Sequence, residues 1–114
     1  MCKRLNFAKM YKVELEYGDL CGDEIDAFMR LLDFFDIKIA YRSADDRDLE
    51  IRRAELERLR NILAFSSRIY ARKAEQINAI LSDADMTRVR MIAALDIMIT
   101  RSDPNDGFVH IFCD

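Results

Sequence analysis

Between Ala44 and Leu81 the chain contains neither glycine nor proline, and most of that span repeats apolar residues at helical spacing. Read as one amphipathic helix over about 44–81, it would be about 57 Å long at about 1.5 Å per residue. A single domain of this size has a radius of gyration of about 13 Å and spans only about 35 Å. Such a helix must protrude, bend or be covered by a partner.

On a helical wheel Leu56, Leu59, Ile62, Leu63, Ile69, Ile77 and Leu81 share one half with Phe65, Tyr70, Ala74 and Ile80, while Arg53, Glu57, Arg60, Arg68, Arg72 and Glu75 lie opposite. The first third presents Leu49, Ile51, Leu56 and Leu59, with Arg52 and Glu55 intruding as ions do at the margins of a helix-pairing surface. The expectation is a helical arm at about 44–60 that pairs with another chain through Leu49, Arg52, Glu55, Leu56 and Leu59. The simplest partner is a second copy in antiparallel register, which makes a homodimer. The competing geometry is a kink near Phe65–Ser67 that folds both halves onto one sheet, although serine breaks helices only weakly.

The remaining segments set the fold class. Phe7, Tyr11, Val13, Leu15 and Tyr17 share one parity against Lys12, Glu14 and Glu16, which reads as a half-buried strand. Ile25, Phe28, Met29, Leu32 and Phe35 follow helical spacing behind Asp23 as N-cap, and Ile37, Ile39 and Tyr41 alternate again. Ser43 with Asp46 has the form of a capping box that opens the long helix, and Ser82–Asp85 opens another that runs to about Arg101. After a turn at Pro104, Phe108–Cys113 forms the last strand, apolar on both parities except at His110. That pattern suits a central strand, covered more completely than an edge. The order is β-α-β-α-α-β, an α+β fold with a small three-stranded mixed sheet packed on helices, in one domain over 1–114.

Charge and composition exclude several functions. Residues 47–74 hold 8 basic and 4 acidic side chains within a chain of net charge -3, but Asp48, Glu50, Glu55 and Glu57 interrupt the positive field, so nucleic-acid binding by this segment is disfavoured. Three cysteines without a Cys-x-x-Cys pair, beside a single histidine, suggest neither a disulfide framework nor a zinc site, and point to a reducing, cytoplasmic setting. The longest strongly apolar stretch, residues 91–99, contains Asp96 and is too short to span a bilayer, so no membrane partner is expected.

Few residues offer chemistry. Counting a calcium loop from Asp103 puts Asn105 at position 3 but Phe108 where a glycine is required, so Ser102–Gly107 reads as a turn. Asp96 lies in a segment apolar on nearly every side and reads as a buried carboxylate paired with Arg88 or with an arginine of the long helix. His110 reads as a sheet histidine with a satisfied hydrogen bond, since Cys113 falls on the opposite strand face and Cys21 is followed by Asp23 and Glu24. Gly18, Gly22 and Gly107 all fall in turns, so no phosphate loop or nucleophile elbow is present and no cofactor is implied.

The sequence therefore favours a non-enzymatic cytoplasmic interaction or regulatory module that self-associates. The alternatives are a small-molecule or catalytic pocket near Asp96 or His110, and nucleic-acid binding through 47–74.

Overall fold

A computed structural model describes residues 4–10, 14–45, 47–69 and 73–113. Among the described residues the chain is α+β, with four helices and one sheet. The strands are β1 (Arg4–Met10), β2 (Glu14–Cys21), β3 (Ile39–Arg42), β4 (Asp48–Arg52) and β5 (Phe108–Cys113). The helices are α1 (Asp23–Phe34), α2 (Arg53–Ile69), α3 (Ala74–Asp83) and α4 (Arg88–Arg101).

The sheet departs from the expected three mixed strands. Among the described residues it has five, in the order β2-β1-β5-β4-β3, and every neighbouring pair is antiparallel. The single strand expected over 7–17 is a hairpin, β1 with β2, joined through residues 11–13, which lie outside the described residues. The long helix over 44–81 is also corrected. Asp48, Glu50 and Arg52 alternate with buried Leu49 and Ile51, a period of two that a helical wheel absorbs over so short a run but that here builds β4.

Ser43 does not open a helix. Its amide donates to the Asp48 carbonyl at 2.9 Å and its hydroxyl accepts the Asp48 amide at 2.9 Å, closing the β3–β4 connection; Asp46, the other half of the expected capping box, lies outside the described residues. The expected arm at 44–60 is therefore half hairpin and half packed helix. From Arg53 the helical pattern takes over, and α2 runs through Ser66 and Ser67 to Ile69 without a break there. A separate helix begins at Ala74, beyond residues 70–72, which lie outside the described residues.

Local signals fix the other helix ends. Gly22 precedes α1 with φ 57, a left-handed conformation that glycine adopts without steric cost, and Asp23, Glu24 and Asp26 follow in a first turn that favours negative charge. Asp23 thus starts the helix and does not cap it. Thr87, and not Ser82, caps α4: its hydroxyl accepts the Arg90 amide at 3.2 Å. The helices bury their apolar sides against one face of the sheet, where Leu5, Phe7, Leu49, Ile51, Val109 and Ile111 join Phe28, Leu32, Leu56, Leu59, Leu63 and Leu95 in a single core. No described helix is long and apolar enough to cross a membrane.

Candidate functional site

The second face of the sheet is where the chain leaves its chemistry. Alternation along β4 and β5 sends the residues between the core positions there. The register aligns Tyr41 with Glu50 and Glu50 with His110, aligns Asn6 with Phe112 and Phe112 with Asp48, and sets Arg52 beside Phe108. Tyr41 is 51 % exposed, and Asp48 and Arg52 are exposed at the two ends of β4. Phe108 and Phe112 are half-buried yet stand apart from the apolar side chains packed against the core. The Arg52 guanidinium lies 5.1 Å from the centroid of the Phe108 ring, a cation–π contact.

His110 sits at the middle of this face, only 5 % exposed. Its Nδ1 is 3.2 Å from Glu50 Oε1 across the β4–β5 pair, and its Nε2 is 2.8 Å from Asp106 Oδ2. Two carboxylates that only accept thus face a ring that donates from both nitrogens when protonated. Asp106 feels opposing influences. Burial raises its pKa, but the Phe108 amide, His110 and the Arg53 charge together outweigh burial and hold its carboxyl below the ordinary range.

The loop that delivers Asp106 is built on one arginine. Arg53, the first residue of α2, donates from Nη1 to the Ile99 carbonyl and the Ser102 hydroxyl, and from Nη2 to the Asp103 and Asp106 carbonyls. Its own amide donates to the Gly107 carbonyl at 2.8 Å. It thereby satisfies the C-terminal end of α4, where a cation is favoured, and fixes the chain up to β5. Within the loop, Asp103 Oδ1 accepts the Asn105 amide at 2.9 Å and Asp106 Oδ1 accepts the Phe108 amide at 3.0 Å, so these carboxylates shape turns.

The residues singled out in the sequence are scattered. Leu49, Leu56 and Leu59 lie inside the chain's own core and present no surface to a partner. Glu55 is an internal tie: it accepts the Lys38 amide at 2.9 Å and the Arg58 guanidinium at 3.0 Å, while Arg58 also reaches the Phe35 and Asp36 carbonyls at the end of α1. Asp96 meets Arg60 of α2 at 2.9 Å, but its side chain is 44 % exposed, so the pair lies at the surface and not in the core. Of that set only Arg52 and His110 belong to the open face. Sequence reasoning missed Tyr41, Asp48, Asp106 and Phe108; the signal available was the apolar character of β5 on both parities.

Elsewhere, a cleft of about 510 Å³ opens between α1 and α3, lined by Met29, Ile80, Arg30 and the acids Asp23, Asp26, Asp33 and Asp83 among others, and by neither Asp96 nor His110. Arg30 spans it to Asp83 at 2.9 Å. Among the described residues no group of three or more histidine, cysteine or carboxylate side chains could hold a metal ion, and Glu50 and Asp106 meet opposite edges of the His110 ring without converging. Compared with known proteins, the chain matches no family model, no curated protein and no solved structure.

Proposed function

We propose that the chain is a non-enzymatic cytoplasmic interaction module whose docking surface is the open face of the sheet around His110. The observation that carries this reading is β5. It is the central strand, and it is apolar toward the helices through Val109 and Ile111 and aromatic away from them through Phe108 and Phe112. Strands with that pattern have both faces covered, whereas the described helices cover one. Against the nucleic-acid alternative, Arg53, Arg58 and Arg60 of the basic segment bond within the chain, and the described side chains of this face include Asp48, Glu50 and Asp106 beside Arg52. The pocket alternative has the α1–α3 cleft, whose lining includes neither Asp96 nor His110.

A photo-crosslinking side chain placed at Tyr41, on the open face, should form a protein adduct in cells that express the chain. The same group at Glu57, exposed on α2, should not. Adducts from Glu57 with none from Tyr41 overturn the reading.

A second reading keeps the long helix as the place where copies meet. It is supported by Phe65, 58 % exposed near the end of α2, and Val89, 76 % exposed at the start of α4. The two helices run antiparallel, with Arg60 against Asp96, so both apolar residues lie at the same end of the pair. A crosslinker at Phe65 that forms adducts where Tyr41 does not would favour it.

A further inference from the structure

We infer that the occupant of the open face is a second copy of this chain, the two sheets packed face to face about a two-fold axis that sets Arg52 of each copy against the partner's Asp48. The inference rests on the reading that this face is a docking surface, and it adds the partner and the register.

Charge selects the partner. Along β4 the open face carries Asp48 at one end, Glu50 in the middle and Arg52 at the other end. Glu50 is turned onto His110 within its own sheet. Asp48 and Arg52 remain at the two ends, four residues and so about 13 Å apart at about 3.3 Å per residue. A two-fold axis lying between the sheets and perpendicular to β4 reverses the strand, so each positive end meets a negative end, twice. Packed sheets stand about 10 Å apart, a gap that an arginine and an aspartate reaching from opposite sides can close. Arg52 already contacts the Phe108 ring, which restrains its guanidinium at the end of β4 where the partner's Asp48 would meet it.

Area sets the strength. Strands of 7, 8, 4, 5 and 6 residues, at about 4.8 Å between strands and about 3.3 Å per residue, make a flat footprint on the order of 480 Å². That is below the roughly 800 Å² that each partner contributes to a standard interface, so the dimer is a weak one. A phosphate backbone or an anionic membrane would instead meet a face with more described carboxylates than cations.

The test is charge reversal, read as mass by light scattering and sedimentation. The unaltered chain should have twice its 13.4 kDa mass. Arg52→Asp alone sets acid against acid, and Asp48→Arg alone sets cation against cation, so each should be monomeric while circular dichroism stays unchanged. Mixing the two single variants should restore a dimer containing one of each, and joining both changes in one chain should restore the homodimer. A dimer indifferent to both single reversals, or single variants whose mixture stays monomeric, overturns the inference. So does an unaltered chain that is monomeric at about 0.1 mM, a hundredfold above a micromolar Kd. In that last case a Tyr41 adduct heavier or lighter than two chains leaves the docking face standing with another partner, whereas the absence of any adduct removes the face as well.

Discussion

Replacing Arg53 by alanine should cost the fold about 3 kcal/mol, and the number follows from where its four acceptors sit. The guanidinium serves the Ile99 carbonyl, the Ser102 hydroxyl and the Asp103 and Asp106 carbonyls. Asp103 and Asp106 are half-exposed, so water replaces what their carbonyls lose; Ser102 is buried, and Ile99 packs against the core at the end of α4. Two hydrogen bonds from a charged donor, at about 1.5 kcal/mol each, give about 3 kcal/mol. That is a large fraction of the roughly 5–15 kcal/mol that holds a domain folded. Arg53→Lys keeps the charge at the end of α4 but not the fork, and should lose about half as much. Urea denaturation measures both losses as a shift in midpoint at constant slope. Amide exchange at 103–108 should quicken in step, because the same side chain positions Asp106 for His110. A cost below about 1 kcal/mol with unchanged exchange would refute the account of the loop.

Leu56→Glu with Leu59→Glu should abolish folding rather than split a dimer, because both side chains are fully buried; Leu59→Ala alone should cost about 2–5 kcal/mol in the same denaturation assay. Asp96→Ala should cost at most about 1 kcal/mol and lose even that in high salt, since its pair with Arg60 is partly exposed. Glu55 has its carboxyl held below the ordinary range by the Arg58 hydrogen bond and then by the Lys38 amide. A depressed folded pKa favours the charged form, so its contribution is complete above the ordinary carboxyl range and disappears as pH falls through the folded value. Glu55→Gln should therefore flatten the acid side of a plot of melting temperature against pH, and an unchanged acid limb would show that the tie to Lys38 and Arg58 carries no stability.

The parts of the fold that were readable are those with long patterns. α1 and α4 show several turns of apolar repeat, and β5 shows its central position through a run that is apolar on both sides except at His110. The parts that were not are short or shared. β4 has five residues, and Leu49 and Ile51 fit the wheel of the helix that follows as well as they fit a strand. Asp96 looked buried because its neighbours are apolar, but α4 leaves Val89 and Ala93 exposed and Ile92 and Ile97 only half-covered, a choice set by how α4 leans on α2. His110 was identifiable as a satisfied sheet histidine. Its partners were not, because Glu50 belonged to a segment read as helix and Asp106 to a loop whose course depends on an arginine about fifty residues earlier in the chain.

The strand order also dictates a timetable. β1 with β2 and β3 with β4 are each local hairpins, but β5 lies between them and is made after both. During synthesis at about 5–20 residues per second, the two hairpins wait with an unpaired inner edge on β1 and another on β4, the kind of edge that recruits foreign strands. The strand that joins them is separated from β1 by nearly the whole chain, so the closing step is the most non-local contact in the molecule and sets a slow pace for the sheet. A chain interrupted before Phe108 would hold every described helix and four of the five described strands, yet would leave two half-sheets with no ladder of backbone hydrogen bonds between them.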